Sequence, residues 1–303
     1  MYSYKPLENK LKAKGLNKTD LTNILGISSR TIAKISKGEK VSNHVLLKIA
    51  NYLNCEITDL CKYICDNHIL QILRDEKDIN LSGGLYHELQ VRMTYNSNHI
   101  EGSKLTEEQT RLIFETRTIG LSDAIQVDDI IETSNHFRAI DYAIDIALEP
   151  LSEDIIKHFH YLLKQGTKDA DKDWFMVGDY KKYENTVGGR ITCSPKDVSK
   201  AINKLINSYS SKKDITIEDI IAFHAEFEYI HPFQDGNGRV GRLIALKECL
   251  RFNIVPFIIE DIKKNYYYRG LANWREDKSW LIDTCLDGQD TFKKLLDLLG
   301  IKY

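Results

Sequence analysis

Twelve residues near the middle of the chain, His231 to Arg242, read HPFQDGNGRVGR. His231 is the one side chain in this string that titrates near neutral pH, which suits it to act as a general base. Pro232 and Phe233 stop a preceding helix and anchor the loop in the core. Asp235 is a hard oxygen ligand, suited to a Mg2+ shared with phosphates. Gly236-Asn237-Gly238 leaves backbone N–H groups free to face an anion. The apolar spacing from Val240 onward predicts a helix, so these glycines stand at a helix N-terminus, a ready anion site. Arg239 and Arg242, three apart, add two guanidinium forks for phosphate oxygens. A base, a metal ligand, an anion cradle and a charge clamp thus share one short segment.

A second string, Ser97-Asn98-His99-Ile100-Glu101-Gly102, precedes His231 by about 130 residues. Ser97 and Glu101 are i and i+4, so they share one face of a helix. Gly102 reads as the residue that ends it.

Helices must position these groups, because only 5 prolines interrupt 303 residues and apolar positions recur at spacings of three and four. Segments 128–148, 154–163, 198–209, 217–228 and 280–299 are predicted helices. One segment differs: Lys182–Pro195 places β-branched residues around Gly188-Gly189, which predicts a short hairpin. The expected class is mainly all-α with one β flap.

Composition divides the chain. The whole carries a net charge of −2. The first 65 residues hold 11 Lys+Arg against 5 Asp+Glu, and the remaining 238 hold 31 against 39. Such asymmetry predicts two modules with different partners. No run of about 18 apolar residues suggests a membrane span, and the start, MYSYKPLENKLKAKG, shows no leader pattern. The six cysteines form no CxxC pair and no zinc spacing. These features predict a cytoplasmic protein with reduced thiols and no membrane partner.

In the basic segment, 17–25 and 28–37 read as two helices around the turn at Gly26, with Ser28 as N-cap. Segments 41–53 and 57–63 are predicted to follow as helices. The second helix presents Ser29, Arg30, Thr31, Lys34 and Lys37 on its polar side and turns Ile32, Ala33 and Ile35 inward. Short polar and basic side chains at the start of such a helix suit base edges and phosphates of a major groove. The run KTDLTNILGISSRTIAKISKGEKVS resembles the Cro/C1-type helix–turn–helix family over about residues 5–63, which implies DNA as a partner.

The string at 231–242 matches the Fic family signature, HPFx(D/E)GNGRxxR, without departure. The likeness extends over about residues 80–290 and includes IAFHAEFEYI at 221–230 and Gly178-Asp179-Tyr180. The resemblance implies the helical Fic fold and a protein adenylyltransferase, moving AMP from ATP with Mg2+ onto a Tyr, Thr or Ser hydroxyl of a target protein or of itself. It implies that His231 is the catalytic base, that Asp235 holds the metal, and that Gly236, Asn237 and Gly238 cradle phosphate. Arg239 and Arg242 would bind the far phosphates, and the hairpin, with Val187, Gly188, Gly189, Arg190 and Ile191, would align an extended target segment. Tyr266-Tyr267-Tyr268 before Leu271 resembles a stretch that packs near adenine, with Tyr267 as the expected contact. The string with Ser97, Glu101 and Gly102 resembles the family's inhibitory helix, whose Glu101 would pair bidentately with Arg242. His99 occupies a variable position there, and His136 and His224 are expected to be structural.

These readings divide the chain into a helix–turn–helix domain (1–66), a connecting segment with the inhibitory helix (67–110) and a catalytic domain (111–303), with homodimerisation as a further expectation. Two alternatives stand beside a self-inhibited transferase. One is a de-AMPylase in which Glu101 activates water. The other is a DNA-binding regulator whose Fic domain senses nucleotide.

Overall fold

A computed structural model describes residues 2–63, 67–120 and 125–303, with the backbone alone of Lys62 and Tyr63. The chain separates into two compact units, with the division between Gln71 and Ile72.

The first unit is a small helical domain. It begins with strand β1 (Tyr2–Ser3) and helices α1 (Lys5–Ala13), α2 (Asp20–Leu25), α3 (Ser29–Ser36) and α4 (Asn43–Leu53). Its core gathers Leu7, Leu11, Leu21, Ile27, Ile32, Ile35, Leu46, Ile49 and Leu60. Gly26 turns the chain in the left-handed region at φ 65°, and Ser28 caps α3 by accepting from the Thr31 N–H. Two expectations need correction. The helix expected over 57–63 is only a 3-10 turn at Ile57–Asp59, followed by β2 (Lys62–Tyr63). The chain there is drawn back to its own start: β2 pairs antiparallel with β1, and Leu60, fully buried, accepts from the Leu7 N–H. Ala33 lies exposed, because α3 buries only Ile32 and Ile35.

The second unit is mainly helical, as expected. It comprises most of α5 (His68–Asp78), then α6 (Leu85–Ile100), α7 (Glu107–Thr116), α8 (Val127–Asp145), α9 (Glu153–Lys164), α10 (Val198–Ser210), α11 (Ile217–Ile230), α12 (Asn237–Arg251), α13 (Lys264–Ala272) and α14 (Ser279–Leu298). It also carries the hairpin β3 (Thr186–Val187) and β4 (Arg190–Ile191) and two 3-10 turns, Pro195–Asp197 and Asp261–Lys263. α12 is buried all round although Arg239, Arg242, Lys247 and Glu248 lie within it, which marks a central helix whose charges are paired. Residues 239–250 are all buried, and α12 packs against α6, α8, α9 and α11. α8 stops earlier than the 148 expected, because Arg74 takes its last carbonyls, at 3.1 Å to Ile144 and 2.9 Å to Asp145. Among the described residues, no helix is long and apolar enough to cross a membrane.

Candidate active site

The site grows from the junction of α11 and α12. A helix end leaves four carbonyls without intrahelical partners, and α11 finds a partner for each. Phe227 O accepts from the His231 N–H at 2.9 Å. Arg190 of the hairpin donates to Tyr229 O at 3.0 Å and Glu228 O at 3.4 Å. Ile230 O accepts from the Cys193 N–H at 3.2 Å. The flap therefore caps the helix that ends at His231. Lys181 adds a second tie, its N–H donating to Pro232 O at 2.9 Å and its ammonium to Asn185 Oδ1 at 2.8 Å and Thr192 Oγ1 at 2.5 Å. Burial, with no carboxylate bonded to this amine, brings its pKa down to about 8.

His231 itself adopts a left-handed backbone, φ 53° and ψ 63°. Its Nδ1 lies 3.7 Å from Glu228 Oε2, too long for a hydrogen bond but close enough for charge support. Gly236, at φ 80°, starts α12. Asn237 is buried, and its side chain bonds within the loop. Its Oδ1 accepts from the Phe233 N–H at 2.8 Å and its Nδ2 donates to Phe233 O at 2.9 Å. The Asn237 side chain therefore clasps the loop shut, with its Oδ1 and one of its two Nδ2 hydrogens bonded within the loop.

The two arginines are held by different parts of the unit. Arg239 bonds Glu132 of α8 and, at 3.3 Å, Asp235. Arg242 donates through Nε to Ser97 Oγ at 3.0 Å, and through Nη2 to Ser97 O at 2.9 Å and Glu101 Oε1 at 2.7 Å; Nη1 reaches Tyr267 Oη at 3.4 Å. The Glu101 pair is thus single-pronged rather than bidentate, because Ser97 and Tyr267 share the fork. Burial alone would lower the Arg242 pKa, but the Glu101 carboxylate outweighs it and holds the guanidinium above its ordinary value. Gly238 explains how close the carboxylate comes: a Cβ there would collide with Glu101 Oε1. Glu101 therefore places its negative charge at the N-terminal turn of α12, where an anionic ligand is expected.

Tyr267 departs from the expected adenine contact. It is 1% exposed and bonds His224 Nε2 at 2.7 Å, so it lies buried under Arg242 rather than facing a ligand. Its neighbours Tyr266 and Tyr268 reach the surface, and Tyr268 donates to Ile100 O at 3.1 Å, holding the end of α6. Gly102 follows that end at φ 105°. His136 and His224 are fully buried, and burial keeps both neutral, His224 with a pKa of about 4.

Asp235 is the carboxylate of the signature loop. Burial would raise its pKa, but Arg239, Lys164 and the Gly236 N–H outweigh that and hold the carboxyl well below its ordinary value. Sequence reasoning missed Lys164, Glu132 and Asp169, which meet around it. Nothing in the spacing of HYLLK at the end of α9 distinguishes Lys164 from a solvated terminal lysine.

The flap forms as expected, with Thr186 opposite Ile191 and Val187 opposite Arg190 across Gly188 and Gly189, both at positive φ. Val187 and Ile191 are exposed. In the first unit Ser29 and Arg30 are exposed, while Thr31 and Lys34 are partly so.

Residues 150–249 match the family model described as Fic/DOC family, and residues 6–66 match that of the Cro/C1-type HTH DNA-binding domain. The chain is 27% identical over 189 residues to a protein adenylyltransferase Fic of Nematostella vectensis, covering 61% of this chain and 43% of that protein. It thus spans less than half the length of that relative. A Fic domain containing signaling protein from Bacteroides thetaiotaomicron shares the fold with a TM-score of 0.60 at 22% identity, over 77% of this chain and 98% of that one. A Fic family protein from Desulfovibrio desulfuricans does so with a TM-score of 0.59 at 22% identity, over 80% and 78%. The chain thus carries a Fic/DOC family domain over residues 150–249, behind a Cro/C1-type helix–turn–helix domain over residues 6–66.

Proposed function

We propose that the second unit is a self-inhibited protein adenylyltransferase. The observation that carries this is the Glu101 carboxylate on Arg242 at 2.7 Å, lodged against Gly238 at the mouth of the anion site. In this reading the triphosphate of ATP takes the N–H groups at the start of α12, with Arg239 and Arg242 on its far phosphates. Asp235 is ionised and half-exposed, so it fits a Mg2+ whose other ligands are phosphate oxygens and water. Bound there, the metal supplies charge neutralisation between the phosphates. His231 takes the proton from a target Tyr, Thr or Ser hydroxyl. That oxygen bonds the α-phosphorus as the bond to the bridging oxygen breaks, and pyrophosphate leaves. The exposed edge of the hairpin receives an extended segment of the target by strand addition.

Glu101 denies the γ-phosphate its arginine, so ATP binds out of line and transfer is slow. In this division, 1–66 is a DNA-binding module acting as a dimer, 67–110 carries the inhibitory helix and 111–303 the catalytic domain. Glu101 is also partly exposed, 28%, which leaves it able to activate water against an AMP ester, so removal of AMP is the second reading.

The test is transfer of label from ATP radiolabelled at the α-phosphate, with Mg2+. Label present in the Glu101→Gly protein and absent from Glu101→Gly/His231→Ala supports transfer. Equal label in both removes it. Release of AMP from a modified protein, lost in Glu101→Gly, moves the assignment to the second reading.

A further inference from the structure

Lys164 is the last residue of α9, yet its side chain is only 2% exposed. Its ammonium donates to Glu132 Oε1 at 2.7 Å, Asp169 Oδ2 at 2.8 Å and Asp235 Oδ2 at 2.8 Å. An ammonium has three donors, and all three are spent on carboxylates. Those carboxylates come from α8, from the loop after α9 and from the signature loop. Arg239 closes the ring, bonding Glu132 and the same Asp235 oxygen. Lys172 takes the other oxygen of Asp169 at 2.6 Å.

The rest of α9 also supports the loop. One turn earlier, the His160 ring stacks on Phe233, with centroids 4.0 Å apart and planes 3° apart, and its Nδ1 accepts from the Gly178 N–H at 3.0 Å. The stem of Lys164 runs under Gly236, where an added Cβ would rest 3.7 Å from Lys164 Cδ. Lys164 therefore touches the backbone that presents Asp235 and also the Asp235 side chain, which is 52% exposed. Saturated and buried as it is, the amine cannot itself meet a nucleotide.

We propose that Lys164 is a positioning residue for the divalent cation: by fixing one oxygen of Asp235 it aims the carboxylate outward toward metal-bound phosphate. The inference rests on the adenylyl-transfer reading. It has a signature that charge alone would reverse. Removing a positive charge beside Asp235 makes the site more negative, which by Coulomb attraction would tighten a cation. Loss of aim would loosen it.

The test uses the full chain carrying Glu101→Gly, with and without Lys164→Met. Retention of Mn2+ in the presence of ATP is read by electron paramagnetic resonance, and binding of metal-free ATP is read by calorimetry in EDTA. The expected result is at least a tenfold weakening of Mn2+ in Lys164→Met, with metal-free ATP binding within twofold. Unchanged or tighter Mn2+ overturns the proposal, as does equal weakening in EDTA, which would mark a merely structural role. If Lys164→Met does not fold, Asp169→Asn releases one of the three anchors without touching Asp235. It should weaken Mn2+ about threefold, and no change there overturns the proposal. No metal-dependent ATP binding in the parent overturns both this proposal and the transferase reading. Normal metal binding without AMP transfer overturns only the latter.

Discussion

Arg239 and Arg242 sit one turn apart on α12, both with side chains about 95% buried, and they lead different lives. Arg239 belongs to a ring of fixed charges: Glu132, Asp235, Lys164 and Asp169, contributed by α8, α9 and two loops. Arg242 belongs to the end of α6: Ser97, Glu101 and, from α13, Tyr267. The first group can be opened only by breaking buried pairs. The second hinges on one partly exposed carboxylate at a helix end, followed by a glycine at φ 105° and tied by Tyr268 to Ile100 O, by Thr133 to Asn98 and by Asp261 to Asn96 and His99. The contrast suggests a division of labour, in which one side of the helix is built for stability and the other for release.

The largest expected effect breaks the rigid side. Glu132→Ala removes one of the two carboxylates that Lys164 and Arg239 share and leaves two buried cations on Asp235, and such a loss costs about 3–5 kcal/mol. For a unit of this size that is a fall of about 10 °C in the melting temperature. Glu101→Ala should leave the melting temperature within about 2 °C, because its carboxylate is partly exposed and Arg242 keeps Ser97 and Tyr267. Comparable losses from both variants would erase the distinction.

Acid reaches the buried histidines next. Burial lowers the pKa of His160 to about 3 and of His224 to about 4, and holds His136 well below its ordinary value. The unfolded chain binds protons below about pH 6.5 and the folded one does not, so stability is intact above that pH and is lost as pH falls toward 4. A melting temperature that drops by about 5–10 °C from pH 7 to pH 5 agrees with these rings being neutral in the fold. A flat profile would show that they are not.

Two smaller effects sharpen the releasable side. Ser97→Ala leaves Arg242 Nε without its acceptor, costs about 1 kcal/mol, and should raise AMP transfer about fivefold by loosening Glu101's anchorage. No rise would mean that Ser97 plays no part in inhibition. Arg190→Ala frees two carbonyls at the end of α11 and should raise KM for a protein target more than it lowers kcat. A change confined to kcat would place Arg190 in the chemistry instead.

Much of this was legible in residues 231–242 and 97–102, because there each position needs a particular residue type. His231 ends α11, Asp235 and Arg242 stand before and within the start of α12, and Gly188-Gly189 makes the hairpin turn. Amphipathic spacing placed α9, α10 and α11 to within two residues at either end. What stayed hidden depends on neighbours distant in sequence. The string does not reveal that the Asn237 amide also bonds both the N–H and the carbonyl of Phe233. Tyr267 was the expected adenine contact because nothing local tells it from Tyr266 and Tyr268, which reach the surface while Tyr267 is buried. Lys164 comes within reach of Asp235, 71 residues later, only once α9 lies under the signature loop. The segment 57–63 failed as a helix because the chain start pairs with it.

The central claim is that Glu101 restrains a competent transferase through Arg242. The most direct measurement is label transferred from α-phosphate-labelled ATP with Mg2+, compared between the unaltered chain and Glu101→Gly at equal protein concentration. The account predicts at least tenfold more label in Glu101→Gly, all of it lost when His231→Ala is added. Equal label in the unaltered chain and Glu101→Gly would contradict it.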